Sequence, residues 1–402
     1  MATAAPVVVV GAGPVGLVTA LILARADVPV TVLEAESDLT RDLRAGSYHP
    51  PTLEMLAELG VVEAMHATGI IARHWQVRER GGRVIADFDL GLIASETPFP
   101  YRLHFEQFKL TPLLLTQLQS IPGARVRFGV RVESVSEDDS GVTVHATSEG
   151  GEETFRAAWV VGADGGRSTV RKAASIPFEG FTWPERFLVA STTYDFEPAG
   201  FRYASYVADP ELWAAVFKVP HEGPPGLWRI AYPTDPNVPE EQVLADDAIE
   251  DNLQKLHPIP GRWPLQYRST YRVHQRVAET FRKGRILLAG DAAHINNPLG
   301  GFGLNGGIHD AVSLGHKLAQ VCRADADPLV LNLYDRQRRP TNVEFVQAMS
   351  IQNKRMIEER DPAVRARRRA ELAETAADPV KAKAFLMNSS MITSVRNAAS
   401  IL

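Results

Sequence analysis

Residues Val7–Glu34 read VVVVGAGPVGLVTALILARADVPVTVLE, and this stretch decides the fold. Four β-branched residues in a row predict a strand buried on both faces, as in a parallel sheet. Gly11, Gly13 and Gly16 follow at GxGxxG spacing, with Pro14 in the same loop. Gly11 permits a tight turn, Gly13 lets the backbone approach a pyrophosphate, and Gly16 lets the next helix pack on the strand. LVTALILARA has helical composition, and VTVLEAE at Val30–Glu36 reads as a second strand. Glu34 stands 18 residues beyond Gly16, close to the roughly 20 at which a dinucleotide fingerprint places its acid. Free N–H groups and the positive dipole end of the helix suit phosphates, and a carboxylate at Glu34 suits the adenosine ribose. The bland alternative is a nucleotide-free βαβ unit with a chance GxGxxG. The strand before, the helix after and the acid in place count against it.

Two more glycine-bearing segments repeat the strand, tight turn and helix order. They are GADGGRSTVR at Gly162–Arg171 and GRILLAGDAAHINNPLGGFGLNGG at Gly284–Gly307. Asp164 sits at the first turn, and Gly290 and Asp291 end the later strand. In such sheets ligands bind beyond the carboxyl ends of the strands. The glycine-dense loop from Asn297 can turn its N–H groups toward a flat ring that carries developing negative charge. The three segments together predict a flavin site.

Composition narrows the class. A net charge of -5 argues against a nucleic-acid partner, because phosphate binding needs a basic face. The single cysteine, Cys322, excludes an intrachain disulfide and a cysteine zinc cage, and no metal site is expected. Val7–Ala24 is apolar, but Gly11, Gly13, Pro14 and Gly16 interrupt it and no basic residue precedes it. It is neither a signal peptide nor a membrane span. The expectation is a cytoplasmic enzyme with no membrane partner.

VRERGGRVIADF at Val77–Phe88 predicts a hairpin around Gly81–Gly82. Between about Phe178 and Arg272 lie RYASYVA, LWAAVFKV and GLWRIAY, which read as strands, with PHEGPPG as a loop. Past Asp325 the composition turns helical, interrupted at Pro340, and VRARRRAELAE at Val364–Glu374 reads as a solvated helix face.

GADGGRSTVR and LLAGDAAH resemble the DG and GD motifs of the single-component FAD-dependent aromatic hydroxylases, the para-hydroxybenzoate hydroxylase and phenol hydroxylase group. The resemblance runs from Pro6 to about Arg339. It implies an α/β fold with a Rossmann-like FAD-binding domain of the GR2 type and an inserted, mainly antiparallel substrate sheet, followed by C-terminal helices. The expected divisions are 1–72, 98–177 and 273–339 for FAD, 73–97 and 178–272 for substrate, and 340–402 for the helical segment.

The resemblance also carries roles to matching positions. Arg44 matches an arginine that contacts the pyrophosphate, Gln107 a glutamine near the ribityl chain, and Asp291 the GD aspartate. Pro298 matches a proline whose carbonyl lies near oxygen transfer, and Gly300, Gly301, Gly303, Leu304 and Asn305 match the loop beneath the flavin. For Arg44 and Gln107, a surface or capping role is the plain alternative. The implied chemistry is reduction of FAD by NADH or NADPH and reaction with O2 to a C4a-hydroperoxyflavin. That species hydroxylates a phenol, and loss of a para substituent is one allowed outcome.

The base is not evident. His49 and Tyr48 follow Arg44 and are candidates, with a structural role as the alternative for His49. Tyr206, Trp213, Phe217, Trp228 and Tyr232 are candidates for an aromatic pocket, with core packing as the default. Alternation puts Trp228 and Tyr232 on one strand face and Arg229 on the other; which face meets the flavin is open. A related monooxygenase acting on a pyridine derivative or polyketide is the runner-up. A GDP-dissociation-inhibitor-like binding protein is the remote alternative, and the DG and GD motifs count against it. The family often forms homodimers, although no residue here shows one.

Overall fold

A computed structural model describes residues 6–41, 45–220 and 226–402. Its central sheet has six strands in the order Arg282–Lys283, Ile286–Leu288, Trp159–Gly162, Val7–Val10, Val30–Leu33, Ala124–Arg127. The ladders are parallel, except that the first two strands pair antiparallel. Val7–Val10 is buried along its whole length, as its β-branched run requires. Helix Pro14–Arg25 follows directly and packs against the long helix Phe302–Cys322. Gly315 allows that approach, since a Cβ there would come within 3.0 Å of Ile22. Cys322 is buried at the end of the long helix.

A second sheet has eight strands, in the order His294–Ile295, Leu265–Ala278, Phe178–Thr192, Leu227–Thr234, Ala214–Val219, Ala204–Ala208, His74–Glu79, Val84–Asp89. Every ladder in it is antiparallel except the one between Ala204–Ala208 and His74–Glu79. The hairpin expected at Gly81–Gly82 forms, and both glycines take positive φ at its tip. Most of the PHEGPPG loop lies outside the described residues.

Period-two alternation gives this sheet two different faces. The inner face gathers Ala204, Tyr206, Trp213, Ala215 and Phe187 against Leu299 of the glycine loop and Leu386 and Ile392 of the last helices. The outer face gathers Val207, Val216, Trp228, Ile230 and Tyr232 around Phe196 and Trp263.

A small antiparallel sheet lies beside these, ordered Ser47–Tyr48, Arg102–His104, Ile70–Ala72. Its middle strand is buried at all three positions. Helix Val330–Thr341 runs through Pro340 into a π-helical turn, Asn342–Gln347, and on into Ala348–Ile357. Proline removes a ladder hydrogen bond, and the wider turn absorbs the misfit. Helix Pro362–Ala377 buries no residue, so the charged stretch inside it is a solvated face. No helix among the described residues is long and apolar enough to cross a membrane.

Candidate functional site

The three glycine segments converge in space. A Cβ on Gly11 would stand 2.4 Å from the Ala163 carbonyl oxygen, so the first turn lies directly on the second segment. Val15 fills the room left by two glycines of the third segment: a Cβ on Gly290 would meet it at 2.8 Å and one on Gly307 at 2.7 Å. Arg171 bridges the second and third segments, donating to the Ala292 carbonyl at 2.9 Å and the Gly166 carbonyl at 3.0 Å beneath the Phe178 ring.

The residues present fit an FAD pyrophosphate. Helix Pro14–Arg25 begins at Gly13, Pro14 is its first residue, and no side chain caps it. Among the described residues, a Cβ at Gly13 would meet nothing within 4 Å. Such a helix end presents free N–H groups and a positive dipole to an anion. Glu34 faces the same loop, and its Oε2 accepts the Ala12 N–H at 2.7 Å. Gly16 has a packing role, since a Cβ there would stand 2.0 Å from the Gly11 carbonyl oxygen.

Asp291 is exposed on the turn Gly290–Ala292, where the parallel strands end. Asp164 caps a helix, accepting from Ser168 Oγ at 2.5 Å and from the Thr169 and Val170 N–H groups at 2.7 and 3.1 Å. Burial raises its pKa despite these bonds. Gln107 opens helix Gln107–Gln119, and its N–H donates to the Ala45 carbonyl at 3.0 Å. Arg44 lies outside the described residues.

Side chains far apart in sequence brace the glycine loop. Gly300 and Gly301 take φ of 112° and 72°, a left-handed bend that favours glycine. Gly301 then starts helix Phe302–Cys322, with Gly303 and Leu304 in its first turn. Asn305 is fully buried: its Nδ2 donates to the carbonyls of Gly301 and Ser47, and its Oδ1 accepts the His49 N–H. Pro298 accepts the Gly301 N–H at 2.9 Å, so its carbonyl is part of the turn.

His49 Nε2 lies 2.8 Å from the Gly300 carbonyl oxygen, an acceptor only, so Nε2 carries the hydrogen. Burial first and Arg102 second hold His49 well below the ordinary histidine value. The ring stacks on Phe302. His49 thus braces the loop through Nε2, while its Nδ1 is buried with no hydrogen-bond partner among the described residues. Tyr48 is fully buried, and burial, then Glu106, raises its pKa.

The aromatic candidates divide between the two sheet faces. Tyr206 points inward, and its oxygen accepts the Gly300 N–H at 2.6 Å. Phe217 stands edge-on to Tyr206, their centroids 6.0 Å apart. Trp213 packs on Phe187 on the same side. Trp228 and Tyr232 belong to the outer core, so alternation turns them away from the glycine loop while Arg229 turns toward it and meets Glu106 at 3.5 Å.

Sequence reasoning passed over Arg102 and His104. Arg102 is buried to 4% exposure. Its Nη2 donates to the Ser389 carbonyl at 3.3 Å, its Nε has no partner, and no carboxylate among the described residues pairs with it. It acts electrostatically on His49, His104 and Tyr206. The signal was readable, since alternation in YRLHFE places Arg102, His104 and Glu106 on one strand face. A second buried network was also missed. Asp310 accepts from His294 Nε2 at 2.6 Å, Arg338 Nε at 2.7 Å and the Gly290 N–H at 3.1 Å, tying the GD turn to the long helix.

Known proteins are similar to this chain in sequence and fold. A family model described as FAD binding domain matches residues 4–349. The chain is 36% identical to para-nitrophenol 4-monooxygenase of Pseudomonas sp. strain WBC-3, over 96% of each protein. It is 34% identical to 6-hydroxy-3-succinoylpyridine 3-monooxygenase HspB of Pseudomonas putida strain DSM 28022 / S16, over 89% of this chain and 90% of that one. The crystal structure of p-nitrophenol 4-monooxygenase PnpA from Pseudomonas putida DLL-E4 superimposes with a TM-score of 0.92 at 36% identity, covering 98% of this chain and 99% of that one. The chain therefore belongs to the FAD binding domain family and is an FAD-dependent aromatic monooxygenase that consumes NAD(P)H and O2.

Proposed function

We propose that this enzyme hydroxylates a phenol bound as its phenolate, and that Arg102 holds the phenolate charge. The observation that carries this reading is a buried guanidinium beside the glycine loop with no carboxylate partner among the described residues. An unpaired buried charge costs several kcal/mol, roughly, so its retention calls for an anionic ligand. Bound FAD supplies hydride acceptance and oxygen activation. The protein holds the ring, favours the ionised oxygen and excludes water. Ionisation enriches the carbons ortho and para to the oxygen, where an electrophilic oxygen is received.

A para-substituted phenol of the nitrophenol kind, with loss of the para group on oxygenation, is the first substrate on this reading. It is supported by the 36% identity to para-nitrophenol 4-monooxygenase. A hydroxylated pyridine is the second, supported by the 34% identity to the succinoylpyridine enzyme.

In this account Gly11, Gly13, Pro14, Gly16, Glu34, Arg44, Gln107, Asp291 and the loop Gly300–Asn305 hold FAD. Segments 73–97 and 178–272 form the substrate domain, and 340–402 closes its inner face. A cytoplasmic homodimer is the expected form.

Titration of the FAD-loaded protein with 4-nitrophenol, followed by the flavin spectrum, tests the reading. Arg102→Met should weaken binding about tenfold or more, the scale of a lost charge-assisted hydrogen bond, with FAD content unchanged. Equal affinity in the two proteins would contradict it.

A further inference from the structure

We infer that His104 is the base that takes the phenolic proton. The inference rests on the phenol reading above and supplies the group that the sequence left unassigned.

His104 is 1% exposed on strand Arg102–His104. Its Nδ1 lies 2.7 Å from the Lys218 carbonyl oxygen. A carbonyl only accepts, so Nδ1 carries the hydrogen and Nε2 keeps its lone pair. That Nε2 is buried and has no hydrogen-bond partner among the described residues. A buried acceptor left unpaired is costly, so it marks a place where a ligand donor belongs.

The surroundings indicate which ligand. Arg102 lies two residues back on the same strand face, roughly 6 to 7 Å along the strand. The His104 ring stands edge-on to Phe217 at 6.1 Å, and Phe217 stands edge-on to Tyr206, whose oxygen holds the Gly300 N–H. His104 pairs across the small sheet with Ser47, whose Oγ is also buried and without a partner among the described residues. A bare acceptor and an unpaired cation thus share one face beside the glycine loop. A neutral phenol satisfies both groups once it is ionised.

The step balances within the site. The phenol O–H bond breaks, an N–H bond forms at Nε2, and the electron pair stays on oxygen. Arg102 then holds the negative oxygen, while the Lys218 carbonyl keeps its bond to Nδ1 and steadies the imidazolium. Burial first, with Arg102 adding to it, pushes the His104 pKa down to about 4 against the opposing Lys218 bond. The imidazole is therefore neutral before substrate arrives, and the phenolate formed beside it offsets the repulsion from Arg102.

Two phenols of different acidity separate a base from a structural residue. 4-Nitrophenol is substantially ionised in mildly alkaline water, whereas 4-fluorophenol, whose para group can also leave, ionises like a tyrosine side chain, near pH 10. The FAD-loaded wild type, His104→Phe and His104→Gln are compared by flavin difference spectra for binding and by substrate-stimulated NAD(P)H oxidation with product analysis. His104→Gln keeps a donor for the Lys218 carbonyl, so it reports even where the Phe variant folds poorly. Both variants should lose about 100-fold on 4-fluorophenol, the usual worth of a general base, and distinctly less on 4-nitrophenol. Equal losses on both phenols would mark a structural role and overturn the inference, as would no loss on either. If no phenol perturbs the wild-type flavin spectrum, the phenol reading itself falls, and the inference with it.

Discussion

Glu34 Oε2 accepts the backbone N–H of Ala12 at 2.7 Å, so the acid that ends the second strand is tied to the glycine loop it serves. Its other oxygen accepts the Glu36 N–H at 3.0 Å. Together these bonds hold the carboxylate at the glycine loop, and on the proposed reading it meets the adenosine ribose. Glu34→Ala should weaken FAD binding about tenfold or more, the scale of a lost hydrogen bond to a charged group. Fluorescence titration of the apoprotein with FAD measures this. An unchanged dissociation constant would reduce Glu34 to a strand-end residue.

Gly13 and Gly16 belong to one motif, yet their substitutions should fail in different ways. A Cβ at Gly13 meets no atom of the described residues within 4 Å, whereas one at Gly16 would stand 2.0 Å from the Gly11 carbonyl oxygen. Gly13→Ala should fold with a near-normal melting temperature and bind FAD poorly, because the methyl occupies the space of the pyrophosphate. Gly16→Ala should lose stability outright by a few kcal/mol, roughly, as overpacking does. Melting curves and flavin content of the two proteins distinguish these outcomes, and similar behaviour would refute the division of roles.

Three buried imidazoles make stability depend on pH. His49, His104 and His309 all have lowered pKa values, with burial the largest cause; His104 falls to about 4 and His309 to about 3. In the unfolded chain they titrate near 6.5. Below that pH the unfolded state binds protons that the folded state refuses. Stability is therefore fully present above about pH 6.5 and declines as pH falls toward the folded values. Each imidazole costs on the order of 1 kcal/mol per pH unit in that window. The melting temperature should hold from pH 8 to 7 and drop clearly by pH 5. A flat profile would mean that these histidines are hydrated or charged in the folded protein.

The flavin half of the site was legible in the sequence because backbone geometry dictates it. Gly11, Gly16 and Gly290 leave no room for a Cβ, and that requirement shows as glycine in any reading. The substrate half was not, because its groups meet through tertiary contacts. Arg102 reaches the Ser389 carbonyl and Tyr206 reaches Gly300 across long spans of chain. Composition drew attention to Trp228 and Tyr232, but the sheet turns them into its outer core. The bond from Arg171 to the Ala292 carbonyl joins two of the glycine segments, a role that its place on a helix after a turn did not disclose.

The most direct measurement is NADH or NADPH oxidation by the FAD-loaded enzyme with and without 4-nitrophenol, together with assays for nitrite, oxygenated product and hydrogen peroxide. The account predicts stimulated oxidation in which the nucleotide consumed appears as oxygenated product. Stimulated oxidation that yields only hydrogen peroxide, or no stimulation by 4-nitrophenol or any other phenol, would contradict it.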